Sequence, residues 1–279
     1  MTTLLSCSDD GEKTVQTGED HQALRFDIIH PYATSRISET DFTQGDRIGV
    51  FINKVGTPLE PSGNEINNEA LTYDDTWQAA RQLYLDKGSY NVYAYYPYTN
   101  VTSVESMDVE VLKDQTSSDN FSNSDILYAS NIGYSDFSSP IKLKFGHIMS
   151  KVLIRLIKSE DYEWELPKDA KVYIHNTVTQ ATLDLNTGYA TKKSKVMAKT
   201  IQVRQSSDYI FEAIVVPQRI DTRTPLIEIV MNNISYMFES KFVFKRGIQH
   251  TIDIVIPNSP DQIKMDIGGT TENWDNTTR

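Results

Sequence analysis

The chain carries one cysteine, Cys7, set between Leu4-Leu5-Ser6 and the acidic Ser8-Asp9-Asp10. Leucine, a spacer and a small residue ahead of cysteine resemble the lipobox, where a bacterial thiol is diacylated and becomes the first mature residue. Two acyl chains would hold the protein on a membrane durably. A full export signal needs a basic segment and an apolar stretch of roughly seven to fifteen residues before that point. Six residues precede Cys7, so the expectation is a start that is trimmed or assigned late. The bland alternative is a stray thiol in a floppy tail. With one thiol, neither an intramolecular disulfide nor a thiolate-held zinc or iron–sulfur centre can form.

Other chemistry lacks its usual signals. His21, His30, His147, His175 and His250 stand at no metal-ligand spacing, and His147, beside Phe145, reads as a core histidine satisfied by backbone. Gly-x-Ser-x-Gly, a Walker loop and His-Glu-x-x-His are all missing, so no catalytic, metal or cofactor role is assigned and no enzyme is expected. Neighbouring acids at Asp74-Asp75, Glu160-Asp161 and Glu163/Glu165 could serve a glycosidase. In a chain with 38 acidic against 27 basic residues they read as solvated faces. Asp9, Asp10 and Glu12 likewise read as a disordered acidic tail before calcium ligands. Tyr90, Tyr93, Tyr95, Tyr96 and Tyr98 could stack a sugar, with cross-strand packing as the default. The formal net charge of -11 repels phosphate backbones, which removes nucleic acid from the expected partners.

The elements around these residues read as strands. Residues 8 to 22 are too polar to order themselves and form a tether. From Leu24 onward, short apolar stretches alternate with turn residues: Leu24, Phe26 and Ile28, then Ile48 to Ile52, then Tyr90 to Tyr96 closed by Pro97. Thr99 to Asn123 reads as loop, with an edge strand at Met107 to Leu112. After Pro140 the rhythm strengthens through Ile141–Phe145, Val152–Ile157, Val172–His175 and Ala181–Leu185. Asn186-Thr187-Gly188 then supplies hairpin chemistry. Strands at Thr200–Val203, Tyr209–Val216, Leu226–Met231, Ile234–Phe238 and Gln249–Ile256 complete the series, with Pro217 and Pro257 as stops. Trp77–Leu83 reads equally as helix or strand. The fold class is all-β. Strand numbers on either side of residue 140 predict two sandwiches, 23–139 and 140–279, behind a signal remnant and tether at 1–22.

Several separated segments together resemble the fimbrillin family of pilus subunits. They are Phe42-x-x-Gly45-Asp46-Arg47-Ile48-Gly49-Val50-Phe51, Tyr93-Ala94-Tyr95-Tyr96-Pro97 and Ser124-Asp125-Ile126-Leu127-Tyr128-Ala129. Phe145-Gly146-His147-x-x-Ser150-Lys151-Val152, Val216-Pro217-Gln218 and Phe244-Lys245-Arg246-Gly247 before Thr251-Ile252-Asp253-Ile254 follow in order.

The resemblance implies two transthyretin-like β-sandwich domains in tandem, export as an outer-membrane lipoprotein through Cys7, and a place in a fimbrium at the cell surface. It also implies assembly with other fimbrillin subunits by donor-strand exchange. An arginine-specific protease frees the first strand, and the vacated groove takes an extended segment of the next subunit. Arg36, in a polar loop after the first strand, is the processing candidate, with Arg25 and Arg47 as competitors. The tail, where Ile263, Met265 and Ile267 alternate with Lys264 and Asp266, is the candidate donor strand; otherwise it is the last strand of its own domain, ending near Trp274. Host or bacterial surface ligands remain open as partners. The rival expectation is a glycan-binding surface lipoprotein that presents its tyrosines and never polymerises.

Overall fold

The computed structural model describes residues 21–31, 42–163, 165–258, 264–266 and 271–274; at 264–266 and 272 it describes backbone alone. The opening strands are β1 (His21–Ala23) and β2 (Phe26–Ile29). Then come β3 (Arg47–Lys54), β4 (Ile66–Asp74), β5 (Thr76–Ala79), β6 (Tyr84–Asp86) and β7 (Tyr90–Tyr96). Strand β8 (Met107–Glu110) and the short helix α1 (Ser118–Asn123) lead to β9 (Leu127–Tyr134), β10 (Ile141–Lys144) and β11 (Gly146–His147). The later half contains β12 (Ser150–Lys158), β13 (Lys171–Thr177), β14 (Gln180–Asp184), β15 (Tyr189–Lys192), β16 (Lys199–Gln202) and β17 (Arg204–Ser207). It closes with β18 (Ile210–Val215), β19 (Gln218–Met231), β20 (Ile234–Phe244), β21 (Ile248–Ile256), β22 (Lys264–Asp266) and β23 (Thr271–Asn273). The protein is all-β.

A six-stranded sheet, ordered β11-β9-β7-β3-β4-β5, organises the first half. Its central strands are buried on both faces, because side chains alternate across a strand and both sets here are apolar. Ile48, Val50, Ile52, Val92, Ala94 and Leu127 face a smaller core. Phe51, Tyr93, Tyr95 and Tyr128 face a larger one. Gly49 lies opposite Tyr95 in the β3–β7 register, and a Cβ there would sit 2.3 Å from the Tyr95 ring. Glycine is therefore required where the aromatic ring crosses the neighbouring backbone.

The larger core is built around β12, which lies between β18 (antiparallel) and β21 (parallel) in the sheet β17-β18-β12-β21-β22. A second sheet, β16-β13-β19-β20, contributes Val172, Ile174, Ile227 and Ile229 to the same core.

Residues 99–126, with Thr99 to Asn123 expected to be mostly loop, form a strap laid into this larger core. Val101, Val104, Met107, Val109, Val111 and Phe121 are buried there. The expected edge strand is present as β8, which pairs with β14 in a three-stranded sheet, β15-β14-β8. Gln115, fully buried, imitates a strand neighbour. Its Nε2 donates to the Ile214 carbonyl at 2.7 Å, and its Oε1 accepts the Ile214 N–H at 2.8 Å. Helix α1 was not legible as such; six residues give no helical period, and its signal is the Ser117 cap, whose hydroxyl accepts the Asn120 N–H at 3.1 Å. Of the ambiguous segment Trp77–Leu83, Trp77 to Ala79 lie in strand β5 on the sheet edge and residues 80–83 are neither helix nor strand.

The two cores do not divide at one residue. Ile141 and Leu143 of β10, just past the expected boundary at 139/140, pack in the smaller core, while the strap before that boundary packs in the larger one.

Candidate strand-acceptor site

Leu24, Phe26 and Ile28 alternate with Arg25 and Asp27, and the structure uses that period directly. Leu24 is 5% exposed within the smaller core, with Phe26 and Ile28 half-buried against it, while Arg25 and Asp27 face solvent. The segment runs first antiparallel to β6, with His21 opposite Asp86 and Ala23 opposite Tyr84. It then crosses to run parallel to β10, from Phe26 opposite Ile141 to Ile29 opposite Lys144. Backbone bonds mark the crossing: Leu24 N–H to Leu83 C=O at 2.9 Å, and Ile141 N–H to Arg25 C=O at 2.8 Å. Among the described residues, each of β1 and β2 has a single strand partner, so there the segment is held along one edge at a time. The side-chain ties are few. Gln82 Nε2 donates to Leu24 C=O at 3.0 Å, Arg25 Nη2 donates to Ser138 C=O at 2.8 Å, and the exposed His21 meets Asp86 at 2.8 Å.

The floor of this berth is supplied by Leu83 and Leu85 on one side and by Ile141, Leu143 and Phe145 on the other. Beyond β2, an aromatic group closes the end. His30 packs edge-on to Phe42 at 4.7 Å, and Phe42 meets Trp77 at 4.8 Å, Tyr96 at 5.5 Å and Phe145 at 5.8 Å. Burial pushes the Tyr96 hydroxyl well above its ordinary range, and the Asp46 carboxylate beside it adds to the shift. Its O–H donates to Asp46 Oδ1 at 3.1 Å.

His147 is a core histidine as expected, with a different partner. Its Nδ1 lies 2.9 Å from Asp125 Oδ1 and its ring stacks on Trp274 at 3.9 Å, so a carboxylate and an indole help to hold it. Asp125 belongs to a segment quoted for the family resemblance and Trp274 to the tail, yet neither pairing was visible in the chain order.

Cys7, Arg36, Ile263 and Ile267 lie outside the described residues. Met265 lies in β22, which pairs with β21 of its own chain, Met265 opposite Ile254. The competing arginines are both in strand surroundings: Arg25 between β1 and β2 with its carbonyl bonded, and Arg47 at the head of β3 with its guanidinium 4.4 Å over Tyr98. The tyrosine run does not form an exposed platform. Tyr90, Tyr93 and Tyr95 are buried, Tyr96 and Tyr98 partly so, and burial raises the Tyr95 hydroxyl to about 12. Cross-strand packing is what these side chains do. Asp74, Asp75, Glu160, Asp161, Glu163 and Glu165 are all exposed. Among the described residues, no three His, Cys, Asp or Glu side chains gather as metal ligands, and no helix is long and apolar enough to cross a membrane. The walls β6 and β10 were the missed parts of the berth; the Leu83/Leu85 and Ile141/Leu143 alternations are the signal that pointed to them.

The chain is similar in fold to a crystal structure of a candidate cell adhesion protein from Bacteroides uniformis, with a TM-score of 0.68 at 20% identity, over 91% of this chain and 99% of that one. It is also similar to the tip fimbrial protein Mfa3 of Porphyromonas gingivalis, solved with a C-terminal truncation, with a TM-score of 0.54 at 7% identity over 91% and 99%. At such identities the likeness shows fold alone. In sequence, 61 residues are 46% identical to a candidate fimbrium tip subunit, Fim1C, of Bacteroides ovatus; that match spans 21% of this chain and only 11% of the relative. The fimbrillin-like family matches over residues 35–274, which takes in every strand from β3 to β23, and the chain belongs to that family.

Proposed function

We propose that this fimbrial protein is a structural and adhesive pilus subunit, exported as a lipoprotein acylated at Cys7 and assembled by proteolysis-triggered donor-strand exchange. Its two sandwiches are the smaller core, which the opening segment completes, and the larger core with its strap. An arginine-specific protease cuts at Arg36, after which strand pairing, three apolar anchors and the few side-chain ties at His21, Leu24 and Arg25 retain residues 21–29. Proteases of this kind bind their substrates extended, which disfavours Arg25 and Arg47, whose backbones are already engaged. Release leaves the edges of β6 and β10 unpaired above an apolar floor, and an unpaired edge is a template for an incoming strand. The incoming strand comes from another subunit's tail, where Ile263, Met265 and Ile267 present the required alternation. Donation requires that tail to leave β21, to which β22 contributes only three residues.

The observation that carries this reading is the one-sided attachment of an opening segment whose alternate side chains fill the smaller core. The test is to trim the purified chain with an arginine-specific protease and add a synthetic peptide spanning residues 261–269. The expected outcome is loss of the N-terminal peptide, then either chain lengthening on size-exclusion chromatography or saturable peptide binding. A trimmed chain that sheds its opening segment and still neither lengthens nor takes up peptide overturns the assembly mechanism.

A further inference from the structure

A cleft of about 550 Å³ lies between the opening segment and the stretch from Thr76 to Leu83. Its volume falls in the range of small-molecule sites. Arg25 and Phe26 form part of one wall; Trp77, Gln78 and Arg81 form part of the other. We propose that this cleft binds an anionic saccharide, a sugar ring bearing a carboxylate, with Trp77 as the stacking surface and Arg81 as the carboxylate clamp. The inference rests on the adhesive part of the function proposed above and concerns the untrimmed chain, because loss of the opening segment would take Arg25 and Phe26 from the cleft.

Three observations support the assignment. The first is charge. The protein carries 38 acidic residues against 27 basic ones, yet the described residues lining this cleft include two arginines and no carboxylate. Arg81 is exposed and makes no hydrogen bond or ion pair with any described residue, which leaves its planar fork of donors open to a carboxylate.

The second is the aromatic wall. Trp77 is half-buried and its ring is fixed by Phe42 at 4.8 Å, edge to face, and by Tyr73 at 5.3 Å. An indole held in this way offers a stacking surface with little rotamer freedom left to lose, which suits the C–H face of a pyranose.

The third concerns the rival ligand, an extended peptide. β2 and β5 are both edge strands, so a peptide would be expected to pair with them. Gln82 closes the space between them: its Nε2 donates to Leu24 C=O at 3.0 Å and to Leu83 C=O at 3.1 Å, tying the two walls together where a peptide running between the strands would have to pass. A rigid ring with a charged substituent needs neither edge.

The test is isothermal titration of the untrimmed chain with a short oligouronate, its neutral counterpart, sodium acetate and an acidic peptide of equal charge. Saturable binding of the oligouronate is expected, at least about tenfold tighter than of the neutral sugar, since a hydrogen bond to a charged group is worth that much. Arg81→Gln, a surface change that leaves the fold alone, is expected to lower affinity about tenfold or more. Trp77→Leu is expected to abolish binding, with circular dichroism confirming that the sheet survives. A flat titration, an Arg81→Gln chain that binds as well as the unaltered one, or equal binding of acetate or of the acidic peptide would overturn the proposal. Because the chain is untrimmed, failure here leaves the assembly mechanism standing, and failure of assembly leaves the cleft standing.

Discussion

The opening segment, residues 21–29, and the strap, residues 99–126, are both polar-edged stretches leading into sheets, yet they are held in opposite ways. Among the described residues, the opening segment has one strand partner at each point, with one buried anchor and two half-buried ones. The strap buries at least six apolar side chains in the larger core, and side-chain amides and hydroxyls that copy backbone pairing lock it there. Beyond Gln115, Ser124 Oγ accepts the Leu112 N–H at 2.9 Å, and among backbone bonds Lys113 C=O accepts the Gln202 N–H at 2.7 Å and Val104 C=O accepts the Leu185 N–H at 2.7 Å. A segment bonded on one side can leave without exposing many unsatisfied groups. A segment whose polar groups are buried inside cannot, because each orphaned donor or acceptor costs its full desolvation penalty.

The comparison can be broken at the strap first. Gln115→Ala orphans both the N–H and the C=O of Ile214 and leaves a cavity, so a loss of about 3–5 kcal/mol is expected in denaturant unfolding. A loss below about 1 kcal/mol would mean that the strap is no better secured than the opening segment.

Acid sharpens the contrast next. His250 of the larger core accepts the Lys245 N–H at 3.1 Å on Nε2, and burial, aided by the Lys245 charge, lowers its pKa from 6.5 to about 4. The unfolded chain takes up a proton near pH 6.5 while the folded chain resists until about pH 4. Stability is therefore full above pH 6.5 and declines as pH falls through this window, by no more than about 3 kcal/mol. Equilibrium unfolding at stepped pH reads the slope, and His250→Gln should flatten it. Phe242 at 5.2 Å and Phe244 at 6.4 Å surround the ring, so the loss belongs to the larger core and leaves the retention of the opening segment unchanged.

The smallest effect is expected at the opening segment itself. Leu24→Ala removes its one buried anchor and should cost about 2 kcal/mol, at the low end for such truncations because an edge can collapse. In amide exchange, the loss should appear as faster exchange at Leu24, Ile141 and Phe145, whose N–H groups bond across this berth, with the strap unaffected. Equal acceleration in both regions would show that the two cores unfold as one unit.

Much of the local structure was legible because strands declare themselves by period. Phe26 and Ile28 on β2, Ile48 to Ile52 on β3 and Tyr90 to Tyr96 on β7 all appear where alternation or continuous apolarity placed them, while Leu24 falls in the crossing between β1 and β2. The hairpin at Asn186-Thr187-Gly188 is also as expected. Gly188 has a φ of +69° and the Tyr128 ring 2.3 Å from where a Cβ would lie, which only glycine tolerates. The processing and lipid sites at Arg36 and Cys7 were read from local motif alone and remain proposals.

By itself, the amino-acid order determined that the protein is built of strands, where most of them stop, and which residues alternate toward a core. Those properties depend on neighbours two or three positions away, and they are written in the chain. Only the tertiary structure decided that β2 runs beside β10, that β8 is claimed by β14 in the larger core, that His147 meets Asp125 and Trp274, and that the tyrosines of β7 are enclosed and not displayed. Each of these joins segments far apart in sequence. Strand pairing is a backbone interaction that nearly any residue can make, so side-chain pattern leaves its partner unspecified until packing selects one.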